Sequence, residues 1–231
     1  MNTLPLIFEA GHMLVETPEG RWLVDTGSPA TFGLGGRVTW RGSVRPIPER
    51  MGPISIDQLN CRFGMSVQGL IGTDLLNEHN SCWHGPEGEF RLGDDSIPRN
   101  AVRVPMGSLL GCPTLEATIA GRPTSAIFDT GAQYGYLLDQ DRTQGSEPDG
   151  TIEDFNPIVG EIWSAAWRVP VTIGSVRFTE RCGLLSGIAK ATLQLAGIDA
   201  ILGCSWLRDR TIGYRPSEGA LWIGPVSGLS A

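Results

Sequence analysis

Apolar and polar residues alternate along this chain in short runs, each broken by Gly, Pro, Asp or Asn. That period of two predicts half-buried β-strands joined by tight turns. The segment "HMLVETPEGRWLVD" reads as a strand, a turn at Gly20 and a return strand that ends on Asp25. "TLEATIAGRPTSAIFD" repeats the order around Gly121 and ends on Asp129. Each acid is followed by Thr and Gly, giving "DTGS" (Asp25, Thr26, Gly27, Ser28) and "DTGA" (Asp129, Thr130, Gly131, Ala132). One such tetrad alone is an ordinary turn after a strand. Two in matched settings ask for a further reason.

The match extends downstream, as an internal repeat would. "GLIGTDLL" in the first half answers "AILGCSWL" in the second. Ahead of these phrases, "IDQLNCRFG" and "IAKATLQLAG" predict one short helix per half, each stopped by a Gly. After them, "NSCWHGPEGEFRLG" and "RTIGYRPSEGALWIG" predict closing hairpins with Pro, Glu and Gly at the turn. The polar stretch "DDSIPRNAVRVP" breaks the strand pattern and sets the boundary near 96–104, dividing the chain into residues 1–97 and 98–231. The second half is longer between its Asp and its apolar-apolar-Gly phrase. The added "TIEDFNPIVGEIWSAAWRVPVTIG" alternates around a tip at 157–160 and predicts a protruding, mobile hairpin, with Pro170 suiting its second strand to an edge or protruding place rather than a central one.

Composition narrows the class. A chain of 231 residues with 41% hydrophobic and 19% charged residues is globular and long enough for a sizeable core. Its 31 Gly and 16 Pro are spread out, as many short strands require. A net charge of −7 argues against nucleic acid or an anionic membrane as partner. No run reaches the ~20 apolar residues of a membrane span, and "MNTLPLIFEAGH" lacks the basic start of a secretory signal. The 5 Cys are widely spaced without CxxC, so the plain reading is buried free thiols in a reducing cytoplasm. The 3 His leave little for a His-based mechanism; His79 and His84 flank Trp83 without acids at ligand spacing, so no metal is expected. "GLGG" lacks the Lys-Ser/Thr of a phosphate loop.

Two matched carboxyls have a chemical use that one lacks. Held about 3 Å apart they cannot both ionise, and they share a proton. The ionised member then serves as general base on a water, and the protonated member polarises the carbonyl under attack. The Thr hydroxyl is placed to lock one loop to the other, and the Gly permits a tight turn with an N–H near the carboxylate.

"LVDTGS" and "IFDTGA", each answered by an apolar-apolar-Gly phrase ("LIG", "ILG"), resemble the signature of retropepsin/pepsin-type aspartic proteases. The resemblance covers residues 5–224 as two retropepsin-like lobes in one chain. It implies a mainly β fold of two pseudo-twofold-related acid-protease lobes with an active-site cleft between them. It makes Asp25 and Asp129 the catalytic dyad, Thr26 and Thr130 the cross-lobe grip, and Gly27, Ser28, Gly131 and Ala132 the rest of the loops. The hairpin tip at Ile158, Val159 and Gly160 becomes the flap over the substrate. The implied activity is a cytoplasmic endopeptidase that uses water, with no metal, cofactor or covalent intermediate. Its partner is a peptide or protein bound in extended form through β-type main-chain bonds. One chain supplies both Asp, so a monomer suffices.

The chain departs from pepsins in being compact, in carrying its flap on the second lobe and in having no Tyr there, which leaves Trp163 as the candidate. Little sequence stands before the first lobe, so no inhibitory pro-segment is expected. Ser28 is placed to donate to Asp25 and Ala132 cannot do the same for Asp129, so Asp25 is expected to ionise first. Asp74 is expected to cap the helix begun by "LLNEH". Two other classes stay open: an inactive aspartic-protease-like module that binds a peptide or protein in the same cleft, and a sugar hydrolase, whose carboxyls stand about 5 Å or more apart.

Overall fold

In the computed structural model of the protein, residues 2–93, 97–156 and 160–226 are described. The alternating segments at the start form a meander of β1 (Asn2–Glu9), β2 (His12–Thr17) and β3 (Gly20–Val24), which ends at Asp25. β4 (Phe32–Gly33) leads through two small hairpins to helix α1 (Ile56–Phe63). β5 (Gly69–Ile71) then runs parallel to β3, with Ile71 opposite Val24, and antiparallel to β4. The turn of helix α2 (Thr73–Leu76) and the hairpin β6 (Ser81–His84) and β7 (Glu89–Leu92) close the first half.

The second half repeats that order. β8 (Val102–Leu109), β9 (Cys112–Ile119) and β10 (Arg122–Phe128) form the meander that ends at Asp129. β11 (Gly135–Leu137) precedes the long hairpin of β12 (Glu147–Asn156) and β13 (Gly160–Ile173), and β14 (Val176–Leu184) pairs along β13. After α3 (Gly187–Leu195), β15 (Ala200–Leu202) runs parallel to β10, with Leu202 opposite Phe128, and antiparallel to β11. β16 (Thr211–Arg215) and β17 (Ala220–Ile223) form the closing hairpin.

The two closing hairpins join the halves. β6 pairs antiparallel with β16, Trp83 opposite Ile212, and the sheet continues outward in the order β1–β7–β6–β16–β17–β8. Read from either end, each strand meets its counterpart, so the sheet has the pseudo-twofold symmetry that the repeated phrases require. Trp83, buried on this sheet, stacks on Phe90, on Phe128 and on Tyr214, whose ring centroid lies 5.2 Å away. One apolar cluster runs through both halves, from Leu6 and Trp22 to Leu202 and Ile223. Each buried aromatic or aliphatic side chain there stabilises the fold by about 1.5–3 kcal/mol. The first half has a further core under α1, and the second has one beneath the long hairpin.

Both expected helices form, and each is followed by its expected Gly in the left-handed region, Gly64 after α1 and Gly197 after α3. Ser55 and Gln58 make reciprocal caps at the start of α1, and Gly64 ends it with a left-handed φ of 64°. Two expectations are corrected. Asp74 is not the cap of its helix: Gly72 holds that place, and the Asp74 carboxylate, inside the first turn, accepts from the Thr31 hydroxyl at 2.6 Å and the Leu75 N–H. β13 is not an edge strand, since β14 flanks one side and β12 and then β9 the other. Pro170 falls after pairing with β12 ends at Arg168 and before pairing with β9 begins at Val171. The missing N–H therefore costs no ladder bond there. Ile158 and Val159 of the expected hairpin tip, and 96 at the expected boundary, lie outside the described residues. Gly160 opens β13. No helix among the described residues is long and apolar enough to cross a membrane.

Candidate active site

β3 and β10 each deliver an Asp to the centre of the molecule, and each is held from behind by a crossing strand. The Asp25 N–H donates to Ile71 O at 3.0 Å, and the Asp129 N–H donates to Leu202 O at 2.9 Å. The Gly after each apolar pair is needed for this crossing. A Cβ on Gly72 would lie 2.6 Å from the Ala30 backbone, and one on Gly203 would lie 2.8 Å from Ala132 O and Tyr134 O.

The two loops grip each other through their threonines, both fully buried. Thr26 Oγ1 donates to Phe128 O at 2.6 Å and accepts the Thr130 N–H at 2.9 Å. Thr130 Oγ1 donates to Val24 O at 2.7 Å and accepts the Thr26 N–H at 3.1 Å. Each buried hydroxyl thus satisfies two groups of the opposite half, and the loops cannot separate without stranding them. Gly27 and Gly131 let the loops approach. A Cβ on Gly27 would stand 2.3 Å from the Asp129 carboxyl, and one on Gly131 would stand 2.4 Å from that of Asp25.

The two carboxyls are hydrogen-bonded to each other, and burial raises the pKa of both. For Asp25, where burial is the largest cause, the charge of Asp129 and the shared hydrogen bond push the value further, well above the usual carboxylate range. Asp129 is held back by the bond from Asp25 and by backbone donors: its Oδ1 accepts the Gly131 N–H at 2.9 Å and the Ala132 N–H at 3.2 Å. Asp25 has a matching donor, the Gly27 N–H at 2.9 Å, and the pair holds one proton between its members. The donor expected from Ser28 is not there. The Ser28 hydroxyl donates to Ala30 O at 2.9 Å and lies against Met51 Sδ, not against Asp25.

Above the carboxyls is a cavity of about 60 Å³, walled by both loops, by Tyr136 and by Asp154, Phe155 and Ile162 of the long hairpin. A water needs roughly 10–15 Å³ measured this way, so a few waters fit and an extended peptide does not. The hairpin is docked across the gap, with Phe155, like Ile7 and Met51, packed against the first-half cluster. Its Asp154 accepts a short hydrogen bond from the Tyr136 hydroxyl. A wider space of about 320 Å³, lined in part by Trp163, shares His12, Asp154 and Phe155 as walls with this cavity. Trp163 is 68% exposed and does not reach the carboxyls; the aromatic hydroxyl at the cavity belongs to Tyr136.

Sequence reasoning missed His12 and the Tyr136–Asp154 pair. His12 opens β2 after a two-residue turn at Ala10 and Gly11, whose φ values of 48° and 80° are both positive. Leu110 and Gly111 make the same turn before Cys112. His12 Nδ1 lies 3.1 Å from Gly131 O, so that nitrogen carries the proton, and Cys112 Sγ donates to Gly27 O at 3.3 Å. The signal was available: the residue that opens the second strand of each meander touches the opposite loop. Burial lowers the His12 pKa. Among the described residues no group of His, Cys, Asp and Glu is arranged to hold a metal ion.

No protein-family model matches the sequence, and no curated protein matches it. The structure is similar to that of the aspartic proteinase from Irpex lacteus, with a TM-score of 0.55 and 14% identity over 100% of this chain and 98% of that one. A retropepsin-like aspartic protease from Rickettsia conorii covers 54% of this chain and 89% of its own at 18% identity, with a TM-score of 0.36. The full-length likeness to the first gives the chain the two-lobed fold of aspartic proteinases.

Proposed function

We propose that the protein is an aspartic endopeptidase that hydrolyses peptide bonds with Asp25, Asp129 and a water. The observation that carries the reading is the reciprocal threonine grip, which presses two hydrogen-bonded carboxyls together beneath a cavity with room for water. The charged member of the pair takes a proton from the water as the water oxygen attacks the scissile carbonyl carbon. The protonated member gives its proton to the carbonyl oxygen, so the tetrahedral intermediate forms without a free oxyanion. Return of a proton from the dyad to the leaving nitrogen then breaks the C–N bond and frees the amine and the acid.

The long hairpin acts as the flap. It swings away from the Phe155 contact to admit an extended peptide and closes to exclude water. Residues 1–97 and 98–231 form the two lobes, and one chain completes the site, so a monomer is the working unit. None of the five cysteines is joined in a disulfide, which fits a cytoplasmic setting.

The test is cleavage of a diverse peptide library from about pH 3 to about pH 8, where a shared-proton dyad is active. Wild type is compared with Asp25→Asn and Asp129→Asn. Cleavage lost with either substitution, and blocked by a hydroxyl-bearing transition-state mimic, is the expected result. A folded wild type that cuts nothing across that range overturns the reading in favour of a peptide-binding module.

A further inference from the structure

The peptide unit between Leu202 and Gly203 is held at both ends. Its carbonyl accepts the Asp129 N–H at 2.9 Å, and its N–H donates to Glu180 Oε1 at 2.7 Å. In the first lobe the corresponding peptide, between Ile71 and Gly72, accepts from Asp25 and donates to Thr31 Oγ1 at 2.9 Å. A neutral hydroxyl does there what an ionisable acid does in the second lobe.

Glu180 lies on β14 opposite Val169 and is completely buried. Its second oxygen, Oε2, has no hydrogen-bond partner among the described residues. Gly135 packs so closely that a Cβ on it would stand 3.1 Å from the Glu180 carboxyl carbon, so the acid has no room to turn away. The titratable groups felt with it are Cys182 on the same strand and Cys204 after β15, whose thiols are themselves pushed upward by burial.

We propose that Glu180 is a positioning residue of the dyad, acting on Asp129 through the Leu202–Gly203 peptide. This rests on the protease reading for its catalytic consequence, but not for the coupling itself. Burial without a counter-charge raises the Glu180 pKa to about 8, opposed only by the Gly203 N–H. Below that pH the neutral acid accepts the N–H. Above it the carboxylate pulls harder on the N–H, polarises the carbonyl that Asp129 leans on, and leaves its unpartnered oxygen charged in an apolar wall. The Asp129 loop must then move, and the Asp25 loop, braced by Thr31, need not.

The test follows the backbone amides of Gly203 and Asp129 by NMR across the pH range around 8, in wild type and in Glu180→Gln. In wild type both amides shift together with a midpoint near pH 8, while Gly72 does not. In Glu180→Gln that transition is gone. No joint transition in wild type, or one that persists in Glu180→Gln, overturns the proposal whether or not the protein cleaves peptides. In the cleavage assay Glu180→Leu, which removes the acceptor, lowers kcat roughly 10- to 100-fold with KM nearly unchanged. Glu180→Gln keeps kcat below pH 8 and loses the part of the alkaline fall that Glu180 causes. Unchanged kcat in a folded Glu180→Leu also overturns the proposal. If Glu180→Leu fails to fold, the amide titration of Glu180→Gln decides. A folded wild type that cleaves nothing removes the protease reading and leaves the titration to judge Glu180.

Discussion

Replacing Glu180 by Gln should make the protein's stability less dependent on pH, by an amount that the burial of Glu180 sets. Its folded pKa of about 8 stands above the ordinary 4.5. A carboxyl raised in this way contributes its full stability below pH 4.5, where it is neutral in both the folded and the unfolded chain. Between 4.5 and about 8 only the unfolded chain ionises, so wild type loses about 1.4 kcal/mol per pH unit and about 5 kcal/mol across the window. Above pH 8 the loss levels off. Gln cannot ionise, and it also places N–H donors where Oε2 has no partner, a constant cost of about 1–3 kcal/mol. The variant should therefore be less stable than wild type in acid and more stable near neutrality, with the curves crossing between. The dyad carboxyls titrate in both proteins and drop out of the difference. Urea unfolding at a series of pH values measures it. A difference between variant and wild type that stays flat from 4.5 to 8 would show that Glu180 is solvated or paired when folded, and the argument from its burial would fail.

Thr26→Val or Thr130→Val keeps the side-chain volume but strands a buried N–H and a carbonyl of the other lobe. Each should cost about 2–4 kcal/mol in urea unfolding and abolish cleavage, with Ser restoring most of both; full activity in either Val variant would refute the grip. Ser28→Ala should leave the acidic limb of the pH–rate profile in place, because its hydroxyl bonds Ala30 O; a shifted limb would return Ser28 to Asp25. Phe155→Ala removes the half-buried contact that docks the hairpin on the first lobe, worth about 1–2 kcal/mol. Amide exchange along β12 should then accelerate roughly 5- to 30-fold while that of β6 is unchanged, and equal protection in both proteins would mean that something else holds the hairpin down.

What could be read from the sequence was whatever the chain states locally and then states again. The Asp-Thr-Gly loops, their apolar-apolar-Gly phrases and the closing hairpins each occur twice, and the extra hairpin showed itself as the place where the copies differ in length. The end of α1 was legible from Gly64 because a helix stop is short-range chemistry, whereas the Ser55 cap was not read. The order of ionisation was not legible. It depends on backbone N–H groups, Gly27 on Asp25 and Gly131 and Ala132 on Asp129, which every residue has and no side chain announces. A serine hydroxyl in a tight turn meets a carbonyl two residues away before it meets a neighbouring carboxylate, so its presence in the motif said nothing about its partner. His12, Tyr136 and Asp154 converge only through tertiary folding. Glu180 is a different case. In "VRFTERCGL" the alternate positions are Val176, Phe178, Glu180, Cys182 and Leu184, one apolar row with an acid in the middle. A period-2 reading puts that acid on the inward face, where water cannot solvate its charge. Such a position is held by a carboxyl only if it stays neutral or finds a buried donor, and Glu180 does both: it remains protonated to about pH 8 and takes the N–H of Gly203, the residue that follows the strand supporting Asp129.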